Sequence, residues 1–110
     1  MSDSYNENLN YRFGKFTLDI SRGGVYRGAE QVRIRPRSFD VLRYLVEHPG
    51  KLVSRDELID AVWKGTVVTD DAVTQCLIDI RKAIGDDSQT MIRTVPRRGY
   101  IFEVPVEILD

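Results

Sequence analysis

Thr74, Gln75, Ile78, Arg81 and Lys82 recur at three- and four-residue intervals, a spacing that puts their side chains on one face of a helix. Amide, hydroxyl, guanidinium and ammonium tips on such a face can exchange hydrogen bonds with base edges or phosphates, and an isoleucine among them can pack on a thymine methyl. That chemistry is recognition, not bond-making. Asp79 shares the face, where a carboxylate is repelled by a polyanion unless it is paired, so a pair with Gln75, Arg81 or Lys82 is expected. Further along, Arg97 and Arg98 fall inside Pro96-Arg97-Arg98-Gly99, which has the composition of a turn. No fold needs two adjacent cations at a hairpin tip, so these two, with Arg93 on the strand before them, are candidates for an anionic partner. Arg55 follows Ser54 at the start of another helix, the wrong end for a cation by the helix dipole, which also favours an external anion. Trp63 could bond a phosphate through its indole N–H while its ring packs, and Arg37, with Arg35 across Pro36, could add phosphate contacts.

The elements that would carry these residues are legible in turn. Over residues 71–84, Val73, Cys76, Leu77, Ile80, Ala83 and Ile84 form the apolar stripe of an amphipathic helix, with Asp70 as its expected N-cap and Gly85 just past its end. Met91–Val95 and Tyr100–Val104 read as two strands joined by the arginine turn. The helix suits a major groove about 12 Å wide, and the hairpin tip can reach a neighbouring minor groove. Thr74 to Lys82 spans about 12 Å of helix, or three to four base pairs at about 3.4 Å each. One copy reads too little, so repeated half-sites occupied by a dimer or by tandem copies are expected.

Upstream, short runs at Tyr11–Phe13, Phe16–Ile20, Val25–Arg27 and Gln31–Ile34 are broken by glycines, which predicts a four-stranded antiparallel meander. Pro36 opens a helix with a Phe39, Leu42, Leu45, Val46 stripe that stops before Pro49-Gly50. Val53 closes a short extended link. Ser54 and Glu57 then make a capping box for a second helix, which buries Leu58, Ile59, Ala61, Val62 and Trp63. That helix, the short Gly65–Thr69 connection and the helix at 71–84 form a helix-turn-helix unit. The fold class is therefore α+β: a winged helix-turn-helix with an N-terminal four-stranded sheet, three helices and a C-terminal hairpin wing. Residues 1–10 read as a disordered tail, 11–106 as the domain and 107–110 as a second tail.

At 110 residues there is room for one core. The formal charge of −1 conceals segregation: residues 81–99 hold five basic residues against Asp86 and Asp87, whereas 103–110 hold three acidic residues and no basic ones. Twelve of the sixteen basic residues are arginine, the side chain suited to phosphate and guanine edges. Cys76 has no partner for an internal disulfide. No apolar run approaches a membrane span and no signal-peptide core opens the chain, so a soluble cytoplasmic domain is expected. Enzymatic chemistry is not expected: His48 sits at a helix end, where it answers the dipole, and Asp86-Asp87 reads as an ordinary turn. No metal, cofactor or small-molecule substrate is expected. RNA binding lacks exposed stacking aromatics on a strand face. The alternative to DNA is a winged helix that has taken a protein partner instead, which the overall acidity favours a little.

The stretches RPRSFDVLRYLVEHPGKLVSRDELIDAVW, VVTDDAVTQCLIDIRKAIGDD and IRTVPRRGYIF, in that order, closely resemble the OmpR/PhoB-type winged-helix DNA-binding domain, and VTQCLIDIRKAIGDD with TVPRRGY looks like its CadC/ToxR-like branch. The resemblance covers about residues 11–106. It implies the effector domain of a bacterial transcriptional regulator active in signal transduction, with double-stranded DNA as partner. The recognition helix would be 71–84 and the wing 92–102. Family phosphate contacts would fall on Arg55 and Trp63. The Gly65–Thr69 loop would correspond to the one that faces RNA polymerase in some members, and it is short here. The family also implies direct rather than inverted half-site repeats. In this branch a transmembrane segment or sensory domain usually follows, which would anchor the parent chain in the inner membrane. An excised domain and a stand-alone regulator both stay open.

Overall fold

Glycine-punctuated runs at the start of the chain pair as antiparallel neighbours in the computed structural model, which describes residues 9–109. Strands β1 (Asn10–Phe13), β2 (Phe16–Asp19), β3 (Gly24–Arg27) and β4 (Glu30–Val32) form the expected meander. Alternation puts Tyr11, Phe13, Phe16, Leu18 and Val25 on its buried face. Two expectations about the chain ends change. Glu107–Leu109, read as a tail, is a strand (β8) that pairs antiparallel with β1, Tyr11 opposite Ile108, and makes the sheet five-stranded in the order β4-β3-β2-β1-β8. It covers the edge of β1, whose backbone groups would otherwise lack strand partners. Of the supposed N-terminal tail, Leu9 packs against the core and Asn10 opens β1, its Oδ1 accepting the Ile20 N–H at 3.2 Å. The rest of that tail, residues 1–8, lies outside the described residues.

Helix α1 (Pro36–Glu47) buries Phe39, Val41, Leu42, Leu45 and Val46 in the core and packs chiefly against the two later helices. Its end is met by His48, whose Nδ1 lies 2.7 Å from the Tyr44 carbonyl oxygen. The link at Leu52–Val53 is itself a strand, β5. Helix α2 (Arg55–Trp63) is capped by Ser54, whose Oγ accepts the Glu57 N–H at 3.0 Å. Only this half of the capping box forms, because the Glu57 carboxylate turns instead to the Tyr44 hydroxyl and Lys51. Leu58, Val62 and Trp63 are buried, whereas Ile59 and Ala61 are half-buried. Helix α3 (Asp70–Ile84) starts one residue earlier than expected, so Thr69 takes the cap position, without a side-chain hydrogen bond, and Asp70 joins the first turn. Strands β6 (Ile92–Val95) and β7 (Gly99–Phe102) form the wing, and β5 joins them in a three-stranded sheet of order β5-β7-β6. Phe13 stacks on Phe16 at 5.6 Å and meets Phe102 edge-on at 5.2 Å, so one aromatic ties the two sheets together.

The Tyr44–Glu57 bond joins α1 to α2 and leaves a signature in pH. Hydrogen bonding to Glu57, with burial, pushes the tyrosine hydroxyl up to about 12, and the same bond holds the Glu57 carboxyl below its ordinary range. The folded state therefore keeps a proton that the unfolded tyrosine releases near its ordinary value of 10, so this contribution is lost as pH rises from there toward about 12. Glu57's share is present above the unfolded carboxylate value and is lost as pH falls through the lowered folded one. Tyr44→Phe should flatten both limbs of a melting-temperature profile against pH; an alkaline limb that survives in the variant would assign it to other groups.

Candidate nucleic-acid interface

Fifteen residues give α3 a length of about 22 Å. Its buried stripe is Val73, Cys76, Leu77, Ile80 and Ile84, with Ala83 half-buried. The opposite side divides into residues that the fold uses and residues that it does not. Thr74 is half-buried, and its Oγ1 accepts from Arg55 at 3.1 Å. Asp79 makes none of the expected pairs with Gln75, Arg81 or Lys82. Its Oδ2 accepts the Arg35 backbone N–H at 3.1 Å, at the start of α1, where a carboxylate also answers the helix dipole. Arg81, expected among the base readers, has a side chain only 15% exposed and donates to the Ile92 carbonyl and the Thr94 hydroxyl. Gln75, Ile78 and Lys82 remain outward, with Ile78 55% exposed. Their spacing makes one row along the helix.

The wing presents the second set. The Arg98 N–H donates to the Val95 carbonyl at 2.9 Å, closing a tight turn with Pro96 and Arg97 at its centre. Arg97 has φ of +68°, the left-handed value that the third position of a type II turn demands. Arg97 and Arg98 are exposed and, among the described residues, neither has an acidic partner; the same holds for Lys82. Arg93 instead bonds Glu103 at 2.7 Å, which neutralises part of its charge.

The three expected phosphate contacts are more occupied inside the protein than their sequence positions imply. Arg55 donates to the Asp70 carbonyl at 3.0 Å as well as to Thr74, and its guanidinium lies 5.5 Å from the centre of the Tyr100 ring. Its awkward place at a helix start is thus answered inside the protein, where it joins α2, α3 and the wing. Arg55 also lines a cleft of about 370 Å³ with Arg97 and Arg98, although Asp56 and Asp70 line it too. Trp63 is buried, and Arg37 lies over its ring at 5.7 Å while donating to the Val62 carbonyl at 3.3 Å. Arg37 remains exposed at the surface.

Asp86 departs furthest from expectation. Rather than sitting in an ordinary turn it is buried, and its carboxylate accepts the N–H groups of Thr90 at 2.9 Å, Met91 at 2.9 Å and Ile92 at 3.0 Å. The signal for this lies in its position immediately after Gly85, which ends α3 with φ of +71°: a left-handed cap turns the next side chain back under the helix.

Residues 29–102 match the family described as "Transcriptional regulatory protein, C terminal". The chain belongs to this family of OmpR/PhoB-type winged-helix domains. Transcriptional activator CadC of Escherichia coli K12 is 42% identical over 98 residues, which are 86% of this chain and 19% of CadC, so the chain spans only a small part of that relative. The OmpR/PhoB-type architecture recurs in the solved DNA-binding domain of E. coli CadC, with TM-score 0.79, 38% identity, and coverage of 92% of this chain and 97% of that one. The Klebsiella pneumoniae RstA DNA-binding domain, solved in complex with the RstA box, matches with TM-score 0.75 and 30% identity over 86% of this chain and 96% of its own.

Proposed function

We propose that this domain binds double-stranded DNA sequence-specifically as the effector part of a bacterial transcriptional regulator, with α3 in the major groove and the wing at the adjacent minor groove. The observation that carries the reading is the division of labour on α3. The fold claims Thr74, Asp79 and Arg81 for itself and leaves Gln75, Ile78 and Lys82 in a single outward row, beside a turn tipped by two exposed arginines. In this arrangement Gln75 reads an adenine, Ile78 packs on a thymine methyl and Lys82 takes a guanine or a phosphate. Arg97 and Arg98 enter or flank the minor groove with Arg93 beside them on the wing, while Arg37, by Trp63 at the other end of α2, adds a phosphate contact. Arg55 and Trp63 act chiefly by holding the elements in place.

Gln75 to Lys82 covers about 10 Å, or three base pairs. The domain therefore works as tandem copies or a dimer on repeated half-sites, about one helical turn apart. RNA polymerase is the further partner the family suggests, and a contact with it would fall on the short loop between α2 and α3, where Val67 is 96% exposed.

Enrichment from a random duplex pool at near-physiological salt tests the reading. Recovery of a short A/T-containing element, repeated at one-turn spacing, is the expected result. Absence of any retained duplex would overturn it in favour of a protein-interaction module, and a footprint on one isolated half-site would remove the tandem arrangement.

A further inference from the structure

We infer that Arg81 is a positioning residue that clasps the wing to the recognition helix, so that α3 and the arginine turn meet DNA as one unit; the inference rests on the DNA-binding reading above. Among the described residues, strand β6 is the edge of its sheet, with β7 as its one strand neighbour. At Ile92 neither backbone group turns to β7: the N–H donates to Asp86 Oδ2 at 3.0 Å and the C=O accepts from Arg81 at 2.7 Å. The two side chains thus stand where the next strand of a sheet would stand. The same Arg81 nitrogen reaches the Thr94 hydroxyl at 3.0 Å, one alternation further up the wing. Arg81 Nε lies 3.6 Å from Asp86 Oδ2, which is ion-pair distance but too long for a hydrogen bond, and this buried nitrogen has no acceptor among the described residues.

The chemistry of the pair explains why the clasp needs these two residues. The Asp86 side chain has no exposed surface, so its charge requires a counterion as well as the three amides it accepts from. Arg81 supplies that charge from the last turn of α3, where a cation also suits the helix end. Only a guanidinium has donors spread widely enough to face a carboxylate with one nitrogen and a strand with another. A lysine keeps the charge and loses the fork. Arg55 ties the start of α3 to β7, and Arg81 makes the link at the other end of the helix: from α3 to Arg81, from Arg81 to Ile92 and Thr94, and along β6 to the turn.

The test is whether the wing still contributes to binding when the clasp is loosened. On a duplex carrying the enriched element, Arg97→Ala should cost about tenfold in affinity in the otherwise unchanged domain. In an Arg81→Lys background the same Arg97→Ala should cost less than about threefold, because a wing that is no longer held does not deliver its arginine. Thr94→Val, which removes a single acceptor at an exposed position, should shrink the Arg97→Ala effect in the same direction and replaces the lysine variant if that one does not fold. All titrations are run where circular dichroism finds each variant fully folded. Losses that multiply, with Arg97→Ala costing the same tenfold in every background, would overturn the clasp and return Arg81 to an independent contact or a plain stability role. Failure of the unaltered domain to bind any duplex would instead overturn the DNA-binding reading itself.

Discussion

Replacing Gly99 by alanine should cost the domain about 3 kcal/mol or more, a large part of the 5–15 kcal/mol that holds a typical domain together. Gly99 has φ of +143°, and a Cβ built on it would lie 2.0 Å from the Val53 carbonyl oxygen and 2.8 Å from Ser54 Cα. Both are backbone atoms, so no side chain can swing aside. Strand β5 would have to part from β7 beside the Val53–Tyr100 pair, and Ser54, which caps α2, would move with it. Gly14 supplies the control, because it too has a positive φ, of +56°, but nothing lies within 4 Å of an added Cβ. Gly14→Ala should therefore cost only the left-handed penalty of about 1–2 kcal/mol. Urea unfolding of the two variants separates crowding from conformation; equal midpoints would mean that the wing sheet yields freely at this contact.

The contrast also marks how far the sequence reaches. Local signals suffice where one element explains itself. Pro36 opens α1, Ser54 caps α2, Gly85 ends α3, and the apolar stripe of α3 is buried nearly as its periodicity predicts. The departures share a cause in contacts between residues far apart in the chain. Glu107–Leu109 carries too little pattern to announce a strand, and Leu52–Val53 is two residues long; each becomes a strand because an edge elsewhere has backbone groups to satisfy. A shared edge cannot be read from either partner alone.

The same limit explains the candidate interface. Periodicity places Thr74, Gln75, Ile78, Arg81 and Lys82 on one side of a helix, but it cannot tell which of those tips another element already engages. Arg55 takes Thr74 from 19 residues upstream, α1 takes Asp79 through the Arg35 N–H, and the wing takes Arg81. What survives, Gln75, Ile78 and Lys82, is a narrower and chemically sharper row than the sequence suggests. The wing arginines are legible because a turn tip has few internal demands, whereas the dipole of its own helix misleads about Arg55, whose partners lie on other elements.

Arg97→Gly should strengthen the fold or leave it unchanged while weakening DNA binding about tenfold. The turn at Val95–Arg98 requires a left-handed residue at its third position, and Arg97 holds φ of +68° there. A residue with a Cβ is disfavoured in that conformation by about 1–2 kcal/mol, which glycine avoids, against about 0.5–1 kcal/mol of extra entropy that glycine gives the unfolded chain. The balance ranges from neutral to about 1.5 kcal/mol of stabilisation. An arginine at a position where glycine fits better is what the proposed wing contact predicts. The binding side of the prediction is electrostatic. Removing Arg97 and Arg98 together, as alanines, should lower the slope of log affinity against log salt by up to about two units, at about 0.9 for each phosphate that is no longer neutralised. Arg97→Gly alone should lower it by about one unit or less. Opposite signs for stability and binding would identify Arg97 as a residue of the interface. An unchanged salt slope in the double variant would take the wing out of that interface, and a fall in stability on Arg97→Gly would show that the guanidinium serves the turn itself.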